Sequence, residues 1–255
     1  MNAIVPDSLS ARATLALYLR EARYEFLRLL RTPAFSVPTL VFAPMFYLLF
    51  GVLLNRGHAG AAGYLMATYS VFGVMGPGLF GFGVGLAMDR ERGLLTLKRV
   101  QPVPASAVLL AKVGMSMIFA VCIGAMLLTL GIALGGVDMD ASQIAWMLCV
   151  DVLGVMPFCA LGLLLGTLLN GSAAPAVVNL IYMPMALLSG LWLPLHMLPS
   201  LVEKIAPLWP AWHLGQLALK IVGQDSGRPV WMHAAVLLGF TGICLLLAQR
   251  RLQRA

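Results

Sequence analysis

Charge is what this chain has least of. Only 11% of its 255 residues are Asp, Glu, Lys or Arg, less than half of the roughly 25% usual in soluble domains. With 60% of residues hydrophobic and a mean hydropathy of +0.91, a water-soluble fold is excluded. Catalytic signatures are missing too. No GxxxxGK[ST] pattern occurs, so the chain has no P-loop of its own for ATP. HExxH and GxSxG are absent as well, and an intramembrane protease would need paired groups where this chain offers one acid, Asp151. No catalytic residue is expected. The four cysteines (Cys122, Cys149, Cys159, Cys244) lie in apolar stretches without CxxC spacing, which reads as small buried hydrophobes. His58, His196, His213 and His233 follow no ligand spacing, so no metal site is expected. Residues 1–31 lack the continuous apolar core of a cleaved signal peptide.

What is present is grease in long runs. Stretches 34–54, 64–87, 107–134, 143–169, 175–193 and 231–249 each approach or exceed the ~20 apolar residues that cross a bilayer. The expected fold is all-α: one polytopic membrane domain over residues 1–255, with six transmembrane helices. An even number of spans puts both termini on one side. That side then carries thirteen Lys/Arg residues, and the other only Arg56, Lys204, Lys220 and Arg228. The positive-inside bias makes the richer side cytoplasmic. The net charge of +7 is therefore a topology signal, not a sign of nucleic-acid binding.

Residues 11–31 read as an amphipathic helix, with Leu15, Leu19, Ala22, Phe26 and Leu29/Leu30 on one stripe and Arg20, Glu21, Arg28 and Arg31 opposite. It can lie in the membrane interface against lipid headgroups or set its stripe on a partner protein. Gly81/Gly85, Gly131/Gly135 and Gly162/Gly166 stand four apart, the spacing that lets membrane helices approach closely, within a chain or between two. Asp151 is the one ionisable group well inside a span. It is either functional or hydrated toward the nearby outer end. Residues 194–230 combine prolines with Trp209 and Trp212, too broken to span and too apolar for water. Short re-entrant helices on the outer side are expected there, with Pro207, Trp209, Pro210, Trp212 and His213 as gate candidates.

The second and third spans are joined by the charged segment 88–106, which contains Arg90-Glu91-Arg92-Gly93-Leu94-Leu95-Thr96-Leu97-Lys98-Arg99 and then Pro102 and Pro104. Four cations can steer and pair with acids on a partner. Leu94, Leu95 and Leu97 can anchor the contact, Gly93 allows a sharp entry, and the prolines end the element. A solvated basic loop serving only topology is the plainer alternative.

Arg90-Glu91-Arg92-Gly93-x-Leu95-x-Leu97-Lys98-Arg99-x-x-Pro102-x-Pro104, in this position, resembles the loop pattern of the ABC-2 family of ABC-transporter permeases. Pro207-Leu208-Trp209-Pro210-x-Trp212-His213-Leu214-x-Gln216-Leu217 resembles the stretch before that family's last helix. Leu94 stands where Thr or Trp is more usual. The resemblance implies that the loop is a coupling helix seated on a separate ATPase subunit, which binds ATP and Mg²⁺ while this chain binds no cofactor. It also implies a second permease copy, a bacterial inner-membrane location, and export of an amphipathic substrate such as a drug, a lipid-linked molecule or a glycan. A proton-coupled carrier and a non-transporting assembly or sensor subunit are the rival readings.

Overall fold

The computed structural model describes residues 11–55, 57–94 and 105–253, and all of the regular structure among them is helical. Helix α1 runs Ala11–Leu30. Thr32 Oγ1 donates to the Arg28 carbonyl at 2.8 Å, and Pro33 then opens α2, at a first-turn position where its missing N–H is no loss. Helix α2 spans Pro33–Leu53 and α3 spans Ala59–Glu91. Both widen to π-helical bonding part-way, over Tyr47–Leu53 and Pro77–Val84. Wide turns of this length are rare. The second begins at Pro77, which contributes no N–H to the preceding turn.

Helix α4 covers Ala105–Ala133. Helix α5, Ala141–Leu168, starts with a reciprocal cap: Gln143 N–H donates to Asp140 Oδ1 at 2.8 Å, and the Asp140 N–H donates to Gln143 Oε1 at 3.0 Å. The cap hydrogen bonds also hold the Asp140 carboxylate below its ordinary pKa. Helices α6 (Ala174–Leu188), α7 (Ser200–Ile205), α8 (Pro210–Ile221) and α9 (Val230–Leu252) complete the chain.

Five helices, α2, α3, α4, α5 and α9, are long and apolar enough to cross a membrane. The protein is a multi-pass helical membrane protein. Helix α6 has 15 residues, about 22 Å at the α-helical rise, shorter than a typical ~30 Å hydrocarbon core. The apolar run predicted a span to 193, but Gly190 turns the chain at φ +73°. Residues 194–230 form two short 3₁₀ turns together with α7 and α8.

Helix α3 is the hub, largely buried, whereas α9 is mostly exposed and presents Trp231, Leu238 and Ile243 outward. The glycines explain how neighbours reach the hub. A Cβ on Gly83 would sit 2.9 Å from Gly162 Cα, and one on Gly166 would sit 2.8 Å from Gly83 O. Helices α3 and α5 therefore touch backbone to backbone, and the Gly162/Gly166 pair packs inside this chain. The stripe on α1 likewise packs on the chain's own α4, with Phe26 5.2 Å from Phe119 between ring centroids and Ala22 facing Gly114. Leu19 stays exposed.

Hydrogen bonds between distant elements define two ends of the bundle. At one end Gln224 donates to Gly60 O (2.8 Å), Gln143 to Ile221 O (3.0 Å) and Tyr64 to Gly190 O (3.1 Å). The last turns of α1, α3 and α5 meet at the other.

Candidate functional site

That second end carries a closed ring of opposite charges. Lys112 Nζ on α4 lies 2.5 Å from Glu25 Oε1 and 2.9 Å from Asp89 Oδ2. Arg28 on α1 lies 2.8 Å from the same Glu25 oxygen and 3.0 Å from Asp89 Oδ1. Two cations and two carboxylates alternate, so the ring is neutral, which makes its burial tolerable. Glu25, Asp89 and Lys112 are all buried, Lys112 almost completely. Gly85 borders the ring, where even a Cβ would make only ordinary contact with Lys112 Nζ, at 3.6 Å. Burial opposes the Arg28 charge, but the bonds and attraction to Asp89 and Glu25 outweigh it and raise its pKa.

Arg90, one of the expected partner-binding cations, is bonded within the chain. Its guanidinium donates to the Thr167 and Leu169 carbonyls, the unsatisfied C-terminal groups of α5. Glu91 and Met88 cover the turn at Gly171, where a Cβ would come within 3.0 Å of Met88 Cα. Arg92 is exposed, and Leu94 half-buried. Gly93 takes φ +69°, a left-handed conformation that glycine adopts without strain. The expected anchors and cations Leu95, Leu97, Lys98 and Arg99, and Pro102 after them, lie outside the described residues.

At the opposite end, the structure brings Pro207, Trp212 and His213 together with a residue that sequence reasoning left aside, His233. His213 Nε2 is 3.0 Å from the Pro207 carbonyl, and the two histidine Nδ1 atoms are 3.0 Å apart. A carbonyl only accepts, so His213 donates from Nε2 and offers a lone pair at Nδ1. His233 therefore donates from its own Nδ1, a tautomer assigned from partners. Arg228 sits 5.2 Å above the Trp212 ring. Burial, helped by Arg228, lowers the His213 pKa against a smaller opposing effect of the Pro207 bond. Pro210 is buried at the start of α8 and Trp209 half-buried before it.

Asp151 is fully buried rather than hydrated. Its Oδ1 lies 3.0 Å from Ser70 Oγ on α3. No group of three or more potential metal ligands occurs among the described residues. A cavity of about 300 Å³ opens between α2, α3 and α6, walled by Phe35, Phe42, Phe72, Phe80 and Tyr182 with Asn179 as its amide. Tyr182 stacks on Phe72 at 5.0 Å and donates to the Phe72 carbonyl at 3.0 Å. No sequence signal marks this cavity, because its walls come from three separate segments.

Comparison with known proteins gives a consistent answer. The profile of the family described as "ABC-2 type transporter" matches residues 18–222. YvfS of Bacillus subtilis (strain 168), named as a transport permease, is 30% identical over 240 residues, which is 91% of this chain and 96% of that protein. The inner membrane transport permease YhhJ of Escherichia coli (strain K12) is 26% identical over 175 residues. That alignment covers 68% of this chain but 46% of YhhJ, and YhhJ of Shigella flexneri matches equally.

Proposed function

Because this chain belongs to the ABC-2 type transporter family and is a transport permease subunit in a membrane, we propose that it forms the path of an ATP-driven exporter in a bacterial inner membrane. A separate ATPase subunit docks on segment 88–106 and binds ATP and Mg²⁺, and a second permease copy completes the transporter. Both termini and the docking segment face the cytoplasm. The inner-membrane location finds support in the name carried by YhhJ and in the distribution of Lys and Arg.

One observation supports the coupling above all. The first residues of the docking segment and the helix that follows it are tied to other helices. Asp89 at its start and Lys112 after its end join one ion-pair ring with α1, while Arg90 holds the end of α5. A force applied to the segment would reach α1, α3, α4 and α5 together. The aromatic cavity beside Asn179 suits an amphipathic substrate, apolar in most of its surface with a few polar groups. An ion path would need rings of charge or carbonyls.

The test is transport. Inside-out vesicles holding this chain and its P-loop ATPase should accumulate a lipophilic dye only with ATP. Equal accumulation without the ATPase overturns the proposal.

A further inference from the structure

Ser70 of α3 and Asp151 of α5 meet about 15 Å along each helix from the end that carries Gly60 and Gln224. Three features of this contact fix the state of the carboxyl. Ser70 Oγ is 3.0 Å from Asp151 Oδ1 and 3.0 Å from the Ala67 carbonyl oxygen. A serine hydroxyl has one proton, and the carbonyl only accepts. Both bonds are complete when Asp151 donates to Ser70 and Ser70 donates to Ala67.

The second feature is Asp151 Oδ2, which is buried and has no hydrogen-bond partner among the described residues. It packs against α4, where a Cβ on Gly124 would come within 2.6 Å of it. An ionised carboxylate needs donors at both oxygens, whereas the carbonyl oxygen of a neutral acid tolerates isolation far better.

The third is the absence of a counter-charge among the described residues. On the elements packed around Asp151, every nearby titratable group whose bonds are described is engaged elsewhere. Tyr64 and Tyr69 of α3 bond to the Gly190 and Trp192 carbonyls. Lys112 of α4 belongs to the ion-pair ring. His213 and Lys220 of α8 face His233 and Asp225.

We infer that Asp151 is a proton-binding site: a neutral carboxylic acid that latches α3 to α5 through Ser70 and releases its proton only when those helices part. This holds whatever drives transport. About 16–20 Å further along the same two helices the backbones of α3 and α5 touch at Gly83 and Gly162, so a separation that pivots about that contact would admit water to the carboxyl and let it ionise. A proton bound or released there would report the helix arrangement.

Infrared spectroscopy of the purified full-length protein in lipid, at neutral pH, tests the inference directly. The wild-type minus D151N difference should contain one protonated-carboxyl C=O band that shifts in heavy water. Loss of a carboxylate band instead overturns the proposal. S70A keeps the carboxyl and gives a second reading should D151N fold poorly: removing the acceptor should move the same band to higher frequency, and an unmoved carbonyl region counts against the latch.

Discussion

Lys112 Nζ lies 2.9 Å from Asp89 Oδ2 although the two are 23 positions apart in sequence, and the charged connecting segment is the chain between them. The contact closes the base of that segment and places a fully enclosed ammonium group beside two carboxylates. Removing one partner leaves an uncompensated buried charge, worth about 3–5 kcal/mol in comparable pairs. Lys112→Met should therefore lower stability by that order in a denaturant or thermal titration. Lys112→Met combined with Asp89→Asn leaves Glu25 and Arg28 paired and should recover most of the loss. A double variant no more stable than the single one would mean that the ring is not an energetic unit.

The close approach of α3 and α5 makes the next prediction. Gly83→Ala places a methyl against Gly162 Cα at 2.9 Å, where backbone has to move, and overpacking of this kind costs about 1–3 kcal/mol. Gly239→Ala on α9 meets nothing within 4 Å and removes a helix-interior glycine, so it should be neutral or stabilising by up to about 1 kcal/mol. Thermal unfolding of the two variants in the same detergent checks the difference.

Hydropathy made the helical membrane class legible, because an apolar run long enough to span has few other uses. It was less informative about ends. The run 175–193 stays apolar through Gly190, but the turn there depends on one backbone angle that composition does not record. The glycine pairs announced close packing without naming partners. The ion-pair ring was invisible for a different reason. Glu25, Arg28, Asp89 and Lys112 sit on three helices, and each read alone is an ordinary charge near a span end. Asp151 was legible as an oddity, since one acid in a greasy run stands out, but its serine partner lies 81 positions away. Arg90 was singled out for docking, and its bonds to Thr167 and Leu169 were beyond any local pattern.

The docking reading gives a prediction for the residues beyond Leu94. Leu97→Glu, or Lys98→Glu with Arg99→Glu, should abolish co-purification of the ATPase and reduce ATP-driven export at least tenfold, while membrane insertion and thermal stability stay at wild-type levels. Undiminished co-purification from these variants would rule out this segment as the seat of the ATPase.

Orientation is checked separately. A cysteine placed at residue 98 in a cysteine-free background should react with a membrane-impermeant maleimide only in inside-out vesicles, and one placed at residue 204 only in right-side-out cells. The reverse pattern would turn the proposed exporter upside down and place the docking segment away from any cytoplasmic ATPase.

The histidine pair predicts a pH dependence whose sign follows from its geometry. His213 donates to Pro207 and accepts from His233, so only the neutral ring satisfies both bonds. Its pKa is lowered by burial, with Arg228 adding to the effect. The unfolded chain therefore binds more protons than the folded one once pH falls below the ordinary histidine value of about 6.5. The stability contributed by the pair is fully present above that value and is lost as pH falls from there toward the folded pKa. The unfolding temperature should drop across that window. His213→Gln keeps a donor and an acceptor but does not titrate there, so its unfolding temperature should fall less over the same range. Parallel pH profiles for the two proteins would mean that the packing of α8 on α9 does not depend on a neutral His213.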